Sequence, residues 1–386
     1  MGSSFDLAMV ADLRFGRGRA TQSAPALAGL GVRHALLVTG RSTERAEPIR
    51  AALQAAGVAV TSFAVTEEPS VDIVREALKT LRANGCDGVL GFGGGSALDV
   101  AKAVAILAGN DSDPMDHLEV IGRGEPLTRP ALPWIAVPTT AGTGSEVTRN
   151  AVLAAGEVKV SLRSPLMLAR LAIVDPDLLI GSPPATLAAS GLDALAQLIE
   201  PFLSVRANPV TDALARDGIV RSARSLRAAV TQGLDDDPDR RDDLALASLA
   251  GGLCLANAGL GAVHGLAGVL GGRLRAPHGA LCAALLAATL ETNRAALADR
   301  APNHPAAGRF DELAVLLTGR PEARAVDGED WLRDLIAALG VPSLTSFGLS
   351  QADLPAVVAA SRQASSMKAN PIPLSDAELT EILSRS

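Results

Sequence analysis

Short apolar runs alternate with segments of helical periodicity through the first half of the chain. The apolar runs cover residues 34–40, 58–65, 87–92, 133–138 and 171–176. Helical periodicity covers residues 44–57 and 70–85 and resumes from Ala97. Continuous apolar strands joined by helices are typical of a parallel sheet covered on both faces. This alternation predicts an α/β fold for the N-terminal half.

The pattern changes twice along the chain. Residues 150–164 predict a hairpin with its turn at Ala155-Gly156, and after about residue 181 the strand pattern gives way to helices. The predicted helices cover residues 184–203, 207–231, 241–272 and 278–298, and the charged stretch 230–243 is interpreted as a solvated loop without function. A chain of 386 residues is long enough for two domains. We predict an α/β domain over 1–180 and an all-α domain over 181–386.

Composition excludes several classes of partner. The net charge is −7, aromatic residues make up 2% of the chain, and there is no tyrosine, so a nucleic-acid partner is not expected. The start of the sequence lacks the pattern of a secretory signal, and no apolar stretch reaches the roughly 20 residues of a membrane span. The three cysteines, Cys86, Cys254 and Cys282, are scattered without a paired motif. These features predict a cytoplasmic protein without a membrane partner.

Two polar loops follow predicted strands of the sheet. Residues 93–96 read Gly-Gly-Gly-Ser between a strand and a helix, and residues 136–150 are rich in threonine and glycine. Backbone amides at a helix N-terminus attract anions, and glycine lets a phosphate approach the backbone. A tight turn and a polar surface loop are the alternative interpretations. Ligands of open α/β folds bind at the carboxyl ends of strands, where both loops are expected.

A carboxylate and two histidines occur in unusually apolar surroundings. His264 and His278 are two of five histidines, and both lie in stretches of small apolar residues. Asp193 and Gln197 are spaced i, i+4, on one face of a predicted helix. One carboxylate with two imidazoles suits Zn²⁺ or Fe²⁺. Hydrogen-bonded core histidines are the alternative.

Several motifs, in order along the chain, resemble those of the iron-containing (group III) alcohol dehydrogenases. They are GFGGGSALDVAKAVA, PTTAGTGSEVT, VKVSLRSP, AIVDPDLL, GLDALAQLIE and NAGLGAVHGLAG followed by APHGA. The resemblance implies a dehydroquinate synthase-like two-domain architecture, with a dinucleotide-binding domain and a helical metal- and substrate-binding domain. It also implies NAD(P), a divalent metal (Fe²⁺ or Zn²⁺), an alcohol or aldehyde substrate, and a homodimer or higher homo-oligomer.

Site residues follow from the resemblance position by position. The residues that match its cofactor-binding positions are Gly94, Gly95, Ser96, Asp99, Thr139, Thr140, Thr143 and Lys159. Of these, the first three match the pyrophosphate-binding turn, the threonines match the adenine and nicotinamide side, and Lys159 matches the lysine that reaches the ribose. The residues that match metal ligands, and so carry the catalysis, are Asp193, His264 and His278.

The chain departs from the family pattern at two positions. Gln197 stands where the usual iron site has a second histidine, so it is a weaker candidate ligand, and Gly268 stands where many members carry a histidine. Cofactor choice is predicted to depend on a third position, the end of the first strand. There Gly40 leaves space for a ribose 2′-phosphate, which Arg41 and Ser42 are placed to accept, so both NADP and NAD are allowed.

The resulting hypothesis is hydride transfer between nicotinamide C4 and an alcohol or carbonyl held at the metal. The small apolar residues around His264 favour a short or moderately bulky alcohol or aldehyde. Three alternatives stay open: a metal-independent reductase similar to maleylacetate reductase, a dehydroquinate synthase-like lyase, and a catalytically silent dinucleotide-binding protein.

Overall fold

The computed structural model describes residues 4–119, 121–156, 158–274 and 276–386. These residues group into two compact units. We call Ala8–Ile180 the α/β unit and Gly181–Ser386 the helical unit; the described residues before Ala8 group with the helical unit.

The α/β unit contains every strand among the described residues. The strands are β1 (Leu13–Phe15), β2 (His34–Thr39), β3 (Ala59–Ala64), β4 (Gly88–Gly93), β5 (Trp134–Pro138), β6 (Asn150–Ala155), β7 (Val158–Arg163) and β8 (Leu171–Val174). The helices are α1 (Ser23–Gly29), α2 (Glu47–Ala55), α3 (Val71–Ala83), α4 (Gly95–Asn110) and α5 (Pro114–His117).

Six strands form one parallel sheet in the order β1-β8-β5-β4-β2-β3. The central strands β4, β5 and β8 are buried along their whole length, as expected for a sheet with both faces covered. From β2 the chain moves towards one edge of the sheet, and from β4 it moves towards the other. The carboxyl ends of β2 and β4 therefore lie at a topological switch point. The predicted parallel α/β fold is confirmed.

Local sequence explains the helices that cover this sheet. In α3, Val71, Val74, Leu78 and Leu81 form a buried stripe, and the hydroxyl of Ser70 accepts a hydrogen bond from the backbone N–H of Ile73 at the helix start. Outside the parallel sheet, β6 and β7 pair antiparallel as the predicted hairpin, in which Gly156 has a φ of +63°. Part of this turn, Glu157, lies outside the described residues.

The helical unit consists of helices without a sheet among its described residues. They are α6 (Pro184–Leu203), α7 (Pro209–Gln232), α8 (Pro238–Ala258), α9 (Ala262–Leu274), α10 (His278–Arg300), α11 (Arg309–Thr318), α12 (Ala325–Ala338), α13 (Leu354–Ser361) and α14 (Asp376–Arg385). The predicted all-α character of this half is confirmed. No single helix in the described ranges is long and apolar enough to cross a membrane; α8 and α9 meet that test only as a pair, bent by 99°.

Two predictions about this half are wrong. The single helix expected over 241–272 is two helices, because Gly259 takes a φ of +74° and ends α8. The charged stretch 230–243 is not wholly a solvated loop, because α8 begins at Pro238 and Asp243 is buried. The Asp243 carboxylate accepts hydrogen bonds from Arg221 and Arg224 of α7, and it ties α8 to that helix.

Candidate active site

The glycine-rich turn connects β4 directly to α4. The helix begins at Gly95, with Gly94 preceding it, which is two residues earlier than the predicted start at Ala97. In the described part of the chain, no side chain caps this helix start. The N–H groups of its first turn, including that of Ser96, are therefore left for an anion, and the helix dipole favours negative charge at the same place.

The threonine-rich loop of residues 136–150, called the threonine loop below, packs against this turn. The backbone N–H of Thr139 donates to the carbonyl of Gly93 at 3.0 Å. A Cβ atom at Gly94 would lie 3.2 Å from the side chain of Thr140, and one at Gly95 would lie 2.7 Å from that of Thr143. The close approach of the two loops explains why glycine occupies both positions. The structure thus brings the predicted turn and the predicted threonines together.

A buried lysine forms hydrogen bonds with the end of the threonine loop. The Lys102 side chain is fully buried in α4. Its ammonium group donates hydrogen bonds to Ser145 Oγ at 3.1 Å, to Thr148 Oγ1 at 2.8 Å and to the carbonyl of Asn150 at 2.7 Å. Burial lowers the pKa of Lys102 to about 8, against the opposing effect of nearby carboxylates, Asp99 first among them.

Asp99 belongs to the same support. Its Oδ1 accepts a hydrogen bond from Ser145 Oγ at 2.6 Å, and its Oδ2 accepts one from the backbone N–H of Val152 at 3.0 Å. Burial raises the pKa of Asp99, and the charge of Lys102 opposes that rise. Burial likewise raises the pKa of the neighbouring Glu146 to about 7. Asp99, predicted as a cofactor-binding residue, thus has partners within the protein that position the loop.

The remaining predicted cofactor residues lie on β7 and after β2. A Cβ atom at Gly40 would meet nothing within 4 Å, so space is open there. Arg41 and Ser42 are exposed, and the Arg41 guanidinium donates to the carbonyl of Thr66 at 2.8 Å. Lys159 forms an ion pair with Glu68 at 2.5 Å. No contact among the described residues joins Lys159 to the glycine turn.

In the helical unit, three helices bring a set of possible metal ligands together. Asp193 lies on α6, His264 on α9, and His278 with Cys282 on α10. One ligand atom from each residue lies within 4.8 Å of those of the other three. His264 Nε2 is 3.2 Å from Asp193 Oδ1, and the two imidazole rings are 5.6 Å apart between centroids. The three residues predicted as metal ligands therefore converge on one point.

A second carboxylate orients the His264 ring. Glu200, on α6, places Oε2 2.6 Å from His264 Nδ1, and its Oε1 accepts the backbone N–H of Val263 at 2.7 Å. Desolvation alone would lower the pKa of His264, but Cys282, Glu200 and Asp193 together raise it well above its usual value. Burial alone would raise the pKa of Asp193, yet its hydrogen bond with His264 lowers it overall. In this arrangement the Nδ1 atom of His264 pairs with Glu200, and its Nε2 atom lies beside Asp193, another possible metal ligand.

The start of α9 is anchored from a distant part of the chain. The backbone N–H of Ala262 donates to Asn370 Oδ1 at 3.0 Å. The Asn370 amide in turn donates to Asn293 Oδ1 at 2.6 Å and to the carbonyl of Ile372 at 2.7 Å. Side chains from α6 and from the last twenty residues thus fix the turn that carries His264.

The two departures from the family pattern occupy different environments. Gln197 is 4% exposed, and its Oε1 has no hydrogen-bond partner within the described part of the chain. Gly268, one turn after His264 on α9, has nothing within 4 Å of the place where a Cβ atom would lie. The first position therefore holds an unsatisfied buried amide, and the second leaves open space.

Comparison with known proteins decides the family. The sequence matches "Iron-containing alcohol dehydrogenase" over residues 11–176 and "Fe-containing alcohol dehydrogenase family, C-terminal" over residues 187–386. The chain belongs to the iron-containing alcohol dehydrogenase family. The predicted resemblance is confirmed, and the chain is an oxidoreductase of a family whose named members act on CH–OH groups.

Individual relatives span the chain almost completely. Long-chain-alcohol dehydrogenase 1 of Geobacillus thermodenitrificans is 34% identical, over 95% of this chain and 93% of its own. A crystal structure of 1,3-propanediol oxidoreductase is 33% identical, with a TM-score of 0.91 over 99% of both chains. Sulfoacetaldehyde reductase of Bifidobacterium kashiwanohense, solved in complex with NAD⁺, is 28% identical, with a TM-score of 0.87 over 99% of this chain and 98% of its own.

Three residues of this iron-containing alcohol dehydrogenase family member were not predicted as site residues. Lys102 follows Asp99 at i+3, Glu200 follows Asp193 at i+7, and Cys282 follows His278 at i+4. Each spacing puts the pair on one face of a helix. The signal in the sequence is thus a polar side chain one or two helical turns from a candidate residue.

Proposed function

We propose that this protein is a metal-dependent, NAD(P)-linked alcohol dehydrogenase that also reduces aldehydes. The observation that carries the proposal is the convergence of Asp193, His264 and His278, from three separate helices, on one largely buried point. A carboxylate and two imidazoles are suitable ligands for Zn²⁺ or Fe²⁺. In this proposal, residues 181–386 form the metal- and substrate-binding domain and residues 1–180 form the NAD(P)-binding domain.

The α/β unit supports the second part of the proposal. The uncapped start of α4 suits a pyrophosphate, and the loop with Thr139, Thr140 and Thr143 packs beside it. Lys159 is proposed to reach the ribose. Open space at Gly40, with Arg41 and Ser42 exposed beside it, supports acceptance of a 2′-phosphate, so we propose that NADPH binds as well as NADH.

When bound, the divalent ion supplies Lewis acidity towards an alcohol or carbonyl oxygen, and the nicotinamide supplies the hydride acceptor or donor. The residues of this chain prepare the site for that chemistry. Glu200 is placed to accept the Nδ1 proton of His264, so Nε2 would be the atom that binds the ion once the proton on Nε2 is released. Lys102 and Asp99 hold the threonine loop in place, so that the cofactor meets a preformed surface.

Small apolar side chains around His264 support the proposed substrate class. Ala262, Val263 and Leu266 are buried, and the space beside Gly268 is open. Such surroundings favour a short or moderately bulky alcohol or aldehyde over a polyol. The three buried free cysteines support a cytoplasmic location. The homodimer or higher oligomer that the resemblance implies stays a prediction.

Metal removal tests this function. We expect the purified protein to oxidise NADPH or NADH with a panel of short and medium aldehydes. That turnover should be lost after treatment with a chelator and restored by Zn²⁺ or Fe²⁺. Full turnover by the metal-free protein would instead indicate a maleylacetate reductase-like enzyme. Cofactor binding without turnover at any metal loading would indicate a silent dinucleotide-binding protein. Either result would contradict the proposal.

A further inference from the structure

Two helices of the helical unit each carry a pair of ligand-type side chains four residues apart. On α6 the pair is Asp193 and Gln197, and on α10 it is His278 and Cys282. Side chains at i and i+4 project from the same helix face. The family resemblance directs attention to the first pair, where an imidazole is replaced by an amide. The structure shows that the second pair also contributes two side chains to the cluster.

The position of Cys282 is compatible with a role as a metal ligand. Its Sγ lies 3.6 Å from His278 Nε2, and it is one of the four ligand atoms that all lie within 4.8 Å of one another. Ligand atoms around a tetrahedral zinc ion, at bond lengths of about 2.0–2.3 Å, are roughly 3.3–3.8 Å apart. A contraction of about 1 Å in the longest separations therefore suffices to form such a site.

Gln197 is a poorer candidate for the fourth ligand position. Its side chain packs towards α8, since a Cβ atom at Gly251 would lie 3.3 Å from its Cβ and 3.6 Å from its Oε1. An amide oxygen is also a neutral and hard donor, whereas a thiolate is soft and binds Zn²⁺ strongly. The chemistry of the two donors thus favours the sulfur.

We propose that the Cys282 thiolate is the fourth protein ligand of the metal site formed by Asp193, His264 and His278, and that this set selects Zn²⁺ over Fe²⁺. The inference rests on the proposed metal-dependent function. Metal binding releases the thiol proton to solvent, as it does for other cysteine ligands. Zinc sites can expand to five ligands, so a fourth protein ligand does not close the site to substrate.

Cobalt spectroscopy of the full-length protein tests the assignment without any activity measurement. The metal-free protein is titrated with Co²⁺, and a sulfur-to-cobalt charge-transfer band in the near ultraviolet is expected at one equivalent. The band should vanish in Cys282→Ser while cobalt still binds. It should persist in Cys254→Ser, the matched control, because Cys254 is equally buried but bonds the carbonyl of Thr211 outside the cluster.

A second variant protects the test against misfolding of Cys282→Ser. In the double variant Cys86→Ser/Cys254→Ser, Cys282 is the only thiol left, and the band must remain. Metal analysis after growth with equal zinc and iron should give mainly zinc in the unmodified protein, with the zinc-to-iron ratio falling at least about tenfold in Cys282→Ser.

The outcomes separate this inference from the function on which it rests. Cobalt binding without the charge-transfer band, or a band that survives in Cys282→Ser, would overturn the role of Cys282 and leave the metal-dependent function standing. A predominance of iron in the unmodified protein would overturn the proposed selectivity. Failure of the unmodified protein to bind Co²⁺, Zn²⁺ or Fe²⁺ at all would overturn both proposals.

Discussion

The two candidate binding regions use different parts of the polypeptide. In the α/β unit, the region around Gly94 and Gly95 offers backbone N–H groups, and nearby side chains mainly hold the loops in shape. In the helical unit, side chains from three helices provide the ligand atoms, and the backbone only carries them. A backbone site is sensitive to the addition of a single Cβ atom. A side-chain site is instead sensitive to the loss of one functional group.

Loss of a ligand should give the largest effect. In His278→Ala we expect metal content to fall sharply, because a direct ligand is lost. Mutating a residue that only hydrogen-bonds to a ligand typically lowers metal affinity roughly 10–100-fold, and the loss here should be larger. Nucleotide affinity should stay unchanged. Metal analysis and fluorescence titration with NADH measure the two quantities. His304→Ala, a histidine outside the cluster, is the control, and equal metal content in both variants would contradict the prediction.

Removing the buried lysine should test the support of the threonine loop. Lys102→Met leaves the largely buried Asp99 without its ion pair, so we expect the free energy of unfolding to fall by about 3 kcal/mol. Denaturant unfolding followed by circular dichroism measures this. Arg50→Met, which removes an exposed ion pair with Glu47, is the control and should leave the stability nearly unchanged.

The contribution of Lys102 to the free energy of unfolding depends on pH. Burial lowers the pKa of Lys102 from 10.5 to about 8, so between these values the unfolded chain binds more protons than the folded one at this site. This contribution to stability therefore rises with pH in that window. The stability difference between the unmodified protein and Lys102→Met should grow from pH 8 to 10. A stability difference that shrinks over this range would show that the pKa of Lys102 is not lowered in the folded protein.

A bulkier residue in the glycine turn should damage only the backbone site. Gly95→Val places a Cβ atom 2.7 Å from Thr143, and the resulting displacement should cost about 1–3 kcal/mol in nucleotide affinity. Calorimetric titration with NADH tests this, and metal content should be normal. Gly29→Ala, where a Cβ atom meets nothing within 4 Å, is the control.

Glu200 tests how much the helical site depends on residues behind its ligands. We expect Glu200→Gln to weaken Zn²⁺ binding by about 10–100-fold, because the amide no longer fixes the His264 ring as the carboxylate does. Competition with a chromogenic chelator measures the affinity. Unchanged affinity would show that the side-chain site, unlike the backbone site, tolerates changes in its surroundings.

The smallest expected effect concerns cofactor choice. Gly40→Asp places a carboxylate where we propose that the 2′-phosphate binds, so NADPH affinity should fall about tenfold relative to NADH affinity. The ratio of the two dissociation constants is the measurement. An equal change for both cofactors would contradict the proposed role of this position.

The sequence predicted elements better than their ends and their cross-chain partners. The strand at 87–92 and the helix at 184–203 follow from continuous local patterns, and both are present. The break between α8 and α9 was missed because Gly259-Leu260-Gly261 lies within an apolar run that continues on either side. In the convergence of Asp193, His264 and His278, the carboxylate lies some 70–85 positions before the two histidines, so spacing alone could not establish it. The i, i+4 spacing of His278 and Cys282 does not by itself identify a ligand, because a lone buried cysteine is more often a small apolar core residue.

The anchoring of α9 by Asn370 makes the centre around His264 depend on nearly the whole length of the helical unit. The residue that fixes the start of this helix lies more than a hundred positions after it, close to the end of the sequence. A version of the protein shortened before Asn370 would keep every candidate ligand and yet lose the hydrogen bond that holds the start of α9. During synthesis on the ribosome, the centre can therefore take its final form only after Asn370 has emerged.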